Sequence, residues 1–237
     1  MDRDLPHMGR LAALTELVSE LLYPEHCLSC DVPGVWLCMD CSRAIPVFDA
    51  PRPAPLLPSG RLPLIPEVFS VCAYAERPWQ ELIRGLKYER LEVLTPHLRT
   101  VLERYRTRIT PRWPFGMGEG WMILPIPTNP EHINTRGGDH MDVWFTLVQE
   151  LLPEAQDGRG RLLRRTGGTA QAGFLTKGAR ERAAEHAFFL PKPLTSRILL
   201  VDDVYTTGAT IQAAAEACIR AGAPSVACFT GAFSGTT

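Results

Sequence analysis

Apolar positions in the main part of the chain follow two patterns. Continuous apolar runs predict strands that are buried on both faces, as in a parallel sheet. Stretches with helical spacing lie between these runs and predict amphipathic helices. The predicted strands lie at 68–75, 121–127, 197–201 and 225–233, with short ones at 161–165 and 187–190. The predicted helices lie at 78–88, 91–108, 139–152 and 207–221. This alternation indicates an α/β domain with helices packed on a parallel sheet.

The first 66 residues have a different organisation. Apolar residues recur at helical spacing between 11 and 22, which predicts an amphipathic helix that ends before Pro24. We expect its apolar face to pack on the rest of the protein, and docking on a partner is the alternative. Seven prolines between 46 and 66 predict an extended linker without a helix. The expected parts are an N-terminal helix with a cysteine module (1–48), a proline-rich linker (49–66) and the main domain (67–237).

Four of the seven cysteines form two CxxC pairs that are separated by seven residues. Four thiolates at this spacing suit tetrahedral Zn²⁺, and so short a segment would take its folding energy from the metal. Redox chemistry is the alternative, although neither pair lies at the end of a strand in a βαβ unit. His26 adjoins the first pair and would bind the metal only if one thiolate failed; we expect its side chain to be solvated or packed instead. We predict one structural zinc per chain, with ligands Cys27, Cys30, Cys38 and Cys41.

Charge and hydropathy narrow the function classes. The formal net charge is −1, so bulk charge favours neither a nucleic-acid nor a membrane partner. The chain has no apolar run of 18 residues, so we expect no membrane insertion. The first residues lack the charge and apolar core of a secretion signal, which leads us to expect a cytoplasmic protein.

The segment 197–210 carries the most specific chemistry. An apolar run ends at Asp202 and Asp203, and a tight turn with Gly208 leads into a predicted helix. Two carboxylates at a strand end can accept hydrogen bonds from a ribose diol, and the amides of a turn at a helix N-terminus can hold a phosphate. Together they predict a site for a ribose 5-phosphate; simple helix capping is the alternative. The predicted phosphate-holding residues are Thr206, Thr207, Gly208, Ala209 and Thr210.

Segment 201–210 resembles the phosphoribosyl pyrophosphate (PRPP) motif of type I phosphoribosyltransferases. With several shorter motifs in the same order, the chain from Cys27 onward resembles the ComF family of competence proteins. Those motifs are the two CxxC pairs, Leu86-Lys87-Tyr88, Pro125-Ile126-Pro127, Arg136-Gly137, Thr169-Ala170-Gln171, Arg180 and Ala187-Phe188. The resemblance implies a type I phosphoribosyltransferase-like parallel sheet flanked by helices, joined to a small N-terminal zinc module with four cysteine ligands.

The resemblance also implies roles for individual residues. Asp202 and Asp203 would be the catalytic acids that hold the ribose of PRPP, which binds with Mg²⁺. Pyrophosphate would meet a loop made of Pro127, Thr128, Asn129 and Arg136. A flexible basic loop, over the substrate or along DNA, would include Arg164, Arg165, Gln171, Lys177 and Arg180. In natural transformation, such a protein would handle single-stranded DNA beside a competence helicase and a recombination mediator.

Two functions remain open from the sequence. One is an active phosphoribosyltransferase that moves phosphoribose from PRPP to a base or another acceptor. The other is a DNA-binding adaptor that uses the same phosphate-holding loop along a single strand. The chain departs from the family after Arg136, because Gly138-Asp139-His140 stands where Phe-Asn-Gln is usual. No residue stands out as the base for an acceptor.

Overall fold

The computed structural model describes residues 25–57, 60–87, 91–128, 139–164 and 187–235. The predicted N-terminal helix at 11–22 lies outside these ranges, as do Asn129, Arg136, Arg165, Gln171, Lys177 and Arg180. The helices are α1 (Met39–Ala44), α2 (Arg77–Leu86), α3 (Leu91–Ile109), α4 (His140–Leu151) and α5 (Ala209–Arg220). A 3₁₀ turn, Thr110–Arg112, follows α3.

Within the described residues, six strands form one sheet: β1 (Arg52–Pro53), β2 (Glu67–Ala73), β3 (Trp121–Pro125), β4 (Gln156–Asp157), β7 (Arg197–Tyr205) and β8 (Val226–Phe233). Their order in the sheet is β1-β2-β8-β7-β3-β4. Among these six strands, only the edge strand β1 is antiparallel to its neighbour, and the other four pairings are parallel. A separate antiparallel pair joins β5 (Leu163–Arg164) to β6 (Phe188–Phe189). The predicted α/β class, with helices on a mostly parallel sheet, is therefore confirmed.

Apolar side chains cover both faces of the sheet, which explains the continuous apolar runs. One face packs on α2, α3 and α4, with Trp79, Leu98 and Trp144 fully buried. The other face packs on α5, whose Ala214, Ala215 and Cys218 are fully buried. Among the described helices, none has both the length and the apolar character needed to cross a bilayer.

Part of the proline-rich segment, predicted as a linker, belongs to the sheet. Within it, β1 pairs with β2, and the Phe48 amide donates to the Val71 carbonyl at 2.9 Å. Proline is tolerated there because an edge strand leaves one row of amides without a ladder partner. Cys27 and Ile45 share one apolar core with Trp79. The cysteine module therefore packs directly on the main domain.

Candidate functional site

The strand that carries the acidic pair is longer than the sequence suggested. The apolar run ends at Val201, but β7 continues to Tyr205 because β8 supplies partners for Val204 and Tyr205. Asp202 and Asp203 therefore lie within a strand, where successive side chains point to opposite faces. Asp202 is half-buried, whereas Asp203 is buried. The two carboxylates consequently have different surroundings and different roles.

Asp203 is the centre of a buried charged cluster. Its carboxylate forms an ion pair with Lys87, just after α2, and accepts from His140 Nε2 at 3.3 Å, at the start of α4. Burial alone would raise the pKa of Asp203, but the His140 hydrogen bond and the Lys87 charge outweigh it and hold that pKa well below its usual range. Asp203 is therefore ionised at neutral pH and joins β7 to both helices.

Replacing Asp203 with Asn is expected to cost about 3 kcal/mol of unfolding free energy at pH 7, because Lys87 loses its buried partner. An unfolded Asp has a pKa near 3.9, as model peptides show. The folded pKa is lower, so the stabilisation is complete above that value and is lost as pH falls towards the folded pKa. Urea unfolding at several pH values should show the gap to wild type closing below about pH 4.

Asp157→Asn is the matched control for this measurement. Asp157 pairs with Arg159 at 2.7 Å, but both side chains are about half exposed. A solvent-exposed pair contributes less than about 1 kcal/mol. An Asp203→Asn protein as stable as the Asp157→Asn protein at pH 7 would show that the buried cluster contributes nothing to stability.

The side chain of Tyr205, the last residue of β7, packs against the turn that follows this strand. The Tyr205 ring stacks on Phe233 with ring centroids 5.3 Å apart, and its carbonyl accepts from the Ser234 amide at 2.8 Å. Gly208 lies directly over the Tyr205 hydroxyl with φ +76, so a Cβ at this position would overlap the phenol. Burial raises the pKa of Tyr205 to about 12, so the phenol stays neutral. Tyr205 and Gly208 together fix the path of the turn.

The turn opens into α5 at a solvent-facing position. Thr206, Thr207, Ala209 and Thr210 are exposed. The first amides of a helix have no partner within the helix and carry its positive dipole end. Here only the Ala209 amide has a local acceptor, a long 3.4 Å contact to Thr207 Oγ1, among the hydrogen bonds of the described residues. The turn therefore has the chemistry needed to bind an anion.

The loop predicted to meet pyrophosphate begins beside Val201, the residue that precedes the acidic pair in β7. Pro127 and Thr128 follow β3, which pairs with β7, and the Ile126 amide donates to the Val201 carbonyl at 2.8 Å. Thr128 Oγ1 donates to Asp139 Oδ1 at 2.7 Å, and the same oxygen caps α4 through the Met141 amide. Carboxyl ends of adjacent parallel strands share one edge, where ligands of α/β sheets bind. Of the predicted flexible-loop residues, only Arg164 is described, as part of β5.

Sequence reasoning gave no role to Lys87 or His140. Lys87 appeared only inside a short family motif, and His140 only as a departure from the family pattern. The available signal was a basic residue at a predicted helix end and a histidine at a predicted helix start. Both contacts with Asp203 are distant in sequence: His140 is 63 positions away and Lys87 is 116 positions away. No local sequence pattern reports such contacts.

The four predicted zinc ligands lie together. The sulfur atoms of Cys27, Cys30, Cys38 and Cys41 are all within 4.8 Å of one another, and Cys30 and Cys38 are 3.7 Å apart. Tetrahedral Zn²⁺ with bonds near 2.3 Å places its sulfurs about 3.8 Å apart, so the cluster fits this metal. His26 Nδ1 instead lies 3.1 Å from Asp31 Oδ1 and is not part of the cluster.

Electrostatics also favours a cation among these cysteines. Burial raises the pKa of Cys27, but amides of Cys38, Cys30 and Ser29 outweigh it and bring that pKa to about 6. Burial is the largest cause that raises the pKa of Cys41, to about 12. The neighbouring thiols raise this pKa further, whereas a hydrogen bond with the Ser29 side chain lowers it. Four thiolates so close together repel one another, and a divalent cation removes that repulsion. The cluster can therefore bind a structural zinc.

The fold and the cysteine cluster define a class: a mixed α/β protein with a six-stranded, mostly parallel sheet and a group of four cysteines near its N-terminus. No protein-family model matches the chain. The DNA utilization proteins YhgH of Escherichia coli K12 and Shigella flexneri are each 30% identical over 224 residues, which cover 87% of this chain and 96% of theirs. The YhgH protein of Salmonella typhimurium is 28% identical over 223 residues, with the same coverage. The chain therefore belongs to the YhgH family, which is the ComF family of competence-related proteins.

Proposed function

We propose that the chain binds a ligand bearing a ribose 5-phosphate, of which PRPP is the defining example, at the carboxyl end of β7. The fold would then be type I phosphoribosyltransferase-like, carrying a four-cysteine zinc module and acting in the cytoplasm. One observation supports this most: a half-buried carboxylate, Asp202, lies in the last part of β7, and an exposed turn follows that strand and leads into α5. A carboxylate that can accept hydrogen bonds from a diol, close in sequence to a turn that can bind an anion, suits a phosphorylated sugar.

The two aspartates would divide the work. Asp203 is occupied by Lys87 and His140, so it would fix the strand end and hold the neighbouring helices. Asp202 would accept hydrogen bonds from the ribose hydroxyls, and the turn 206–210 would hold the 5-phosphate. Mg²⁺ would arrive with PRPP and neutralise charge on its pyrophosphate, which Pro127, Thr128, Asn129 and Arg136 would surround.

Phosphoribosyl transfer is the second candidate function. The start of the 127–129 loop beside Val201, one residue before Asp202, favours it, because a pyrophosphate leaving group would lie there. An acceptor would form a bond to ribose C1 as the bond from C1 to pyrophosphate oxygen breaks. The pyrophosphate would leave with that electron pair. The residues of this chain would contribute positioning and charge stabilisation.

A role in DNA utilization is the biological setting that we propose. It is supported by the name of the relatives, which are DNA utilization proteins. The chain would bind single-stranded DNA during natural transformation, beside a helicase and a recombination mediator. The basic residues Arg164, Arg165, Lys177 and Arg180, with Gln171, are the DNA contacts that the sequence suggests.

Calorimetric titration with PRPP and Mg²⁺ tests the ligand site. We expect one saturable site in the wild-type protein. Hydrogen bonds to a charged group contribute about 1.5–3 kcal/mol, so Asp202→Ala should weaken binding about 10- to 100-fold. Asp157→Ala is the control, because it removes an exposed carboxylate from the edge strand β4. Equal affinity of the Asp202→Ala and wild-type proteins would show that Asp202 does not hold the ribose.

A further inference from the structure

A basic groove lies between the cysteine module and α3, on different elements from the β7 turn. Its volume is about 540 Å³, within the range of ligand-binding clefts. The side chains of Arg43, Arg104 and Arg108 line it, and its other lining residues are small apolar residues, a proline and a threonine. No carboxylate lines the groove among the described residues. Three positive charges in one concave surface focus a positive potential there, although the whole chain has a net charge of −1.

The three arginines differ in how many hydrogen bonds their guanidinium groups already donate within the protein. Arg104 is half-buried and donates to the carbonyls of Ser42 at 2.5 Å and Ile45 at 2.7 Å, so it forms a fixed floor. Arg108 is exposed and has one long contact, 3.4 Å to the Val47 carbonyl. Arg43 is exposed as well. Neither Arg43 nor Arg108 forms an ion pair with a carboxylate in the part of the chain that the structure describes. Their guanidinium groups therefore keep donors for an anionic ligand.

The basic row continues beyond the groove. Arg104, Arg108 and Arg112 follow one another at four-residue intervals, which places them along one side of α3 and its 3₁₀ extension. Arg112 donates to the Asp49 carbonyl at 3.0 Å, so this row borders residues 42–49 along its length. An extended row of cations suits a ligand with repeated negative charges better than a single small anion.

We propose that this groove binds the phosphate backbone of a single-stranded nucleic acid. The inference rests on the proposed DNA role and assigns it to residues other than those of the basic loop at 164–180. The described lining has no aromatic ring on which a base would stack and no side-chain amide or carboxylate to read a base edge. The contacts would go to phosphates, so binding would be independent of sequence and strongly dependent on salt.

The test is fluorescence anisotropy with a labelled oligothymidine of about 20 nucleotides and the full-length, zinc-loaded protein, at about 50–300 mM NaCl. Two lost phosphate contacts lower the slope of log affinity against log salt by about 1.4 for a single strand. We therefore expect the double variant Arg43→Gln/Arg108→Gln to bind about 20-fold more weakly at low salt, with that shallower slope. Thr107→Glu, a separate exposed change in the same groove, should weaken binding about 10-fold.

The matched control is Arg99→Gln. Arg99 lies on the same helix but pairs with Glu150 at 2.8 Å, so its loss should change affinity less than about twofold. The comparison variant Lys177→Gln/Arg180→Gln neutralises the predicted flexible loop. Saturating PRPP with Mg²⁺ should leave the oligonucleotide bound, because the two ligands occupy different elements.

Wild-type affinity in both groove variants would overturn the inference. If the loop variant loses binding in that case, the proposed DNA role stands and only its surface is wrong. Displacement of the oligonucleotide by PRPP would also overturn the inference, since the strand would then lie at the β7 turn. Failure of the wild-type protein to bind any oligonucleotide would overturn both the groove and the DNA role, while leaving the PRPP titration to decide the ribose site separately.

Discussion

Gly208→Ala is expected to weaken ligand binding at the β7 turn about 100-fold, which corresponds to the loss of two charge-assisted hydrogen bonds. It should also lower the unfolding free energy by about 2–4 kcal/mol. Gly208 has φ +76, and an added Cβ would lie 2.7 Å from Tyr205 Cζ and overlap the hydroxyl. Tyr205 cannot move aside easily, because its ring stacks on Phe233 and its backbone carbonyl accepts a hydrogen bond from the Ser234 amide. In the Gly208→Ala protein the turn must therefore shift, so its backbone amides no longer lie where they would bind the phosphate.

Gly160→Ala separates backbone strain from overlap. Gly160 has φ +72, but a Cβ there would meet nothing within 4 Å. The change should cost about 1 kcal/mol and leave ligand affinity unchanged. Thermal unfolding and PRPP calorimetry on both variants make the comparison. If Gly208→Ala behaves like Gly160→Ala in both measurements, Tyr205 does not fix the turn.

Removal of zinc is expected to lower the unfolding midpoint by about 10 °C. Structural zinc binds with about 10 kcal/mol or more in small modules. The module here shares its core with the main domain through Cys27 and Ile45, so part of that energy couples to the domain. If about a third of the zinc-binding free energy, about 3 kcal/mol, stabilises the main domain, its loss lowers the unfolding midpoint by about 10 °C in a chain of this length. The measurement is calorimetric melting before and after chelation, with metal analysis giving one zinc per chain.

Cys30→Ser identifies the source of this effect. Cys30 is exposed, so the change removes a ligand with little loss of packing. We expect it to reproduce most of the effect of the chelator. Met39→Ser is the control, because Met39 lies inside the second CxxC pair and is 65% exposed but offers no thiolate. A zinc-free protein that melts at the same temperature as the native one would show that the cluster is not a structural metal site.

Local patterns predicted the parts of the molecule that depend on local physics. Apolar runs identified the central strands β2, β3, β7 and β8 because both faces of the sheet are covered. The CxxC spacing identified the cysteine cluster because two tight knuckles bring their sulfurs together within a few residues. Gly222, which lies just after α5, has φ +97, the left-handed conformation that glycine adopts after a helix C-terminus.

Features that depend on distant partners were not visible in the sequence. The acidic pair resembled a strand end, yet β8 extends the ladder to Tyr205 and turns Asp203 into the core. Lys87 and His140 reach Asp203 from two helices, a convergence that periodicity does not encode. Prolines predicted an extended linker at 46–66, but they did not reveal the pairing of β1 with β2.

Calorimetric titration of PRPP with Mg²⁺, repeated with ribose 5-phosphate as a competitor, tests the central claim most directly. The account predicts a single site in the wild-type protein, competition by ribose 5-phosphate, and loss of affinity in both the Asp202→Ala and Gly208→Ala proteins. Binding that is unaffected by ribose 5-phosphate and by both substitutions would contradict it, because the phosphorylated sugar would then lie away from the β7 turn.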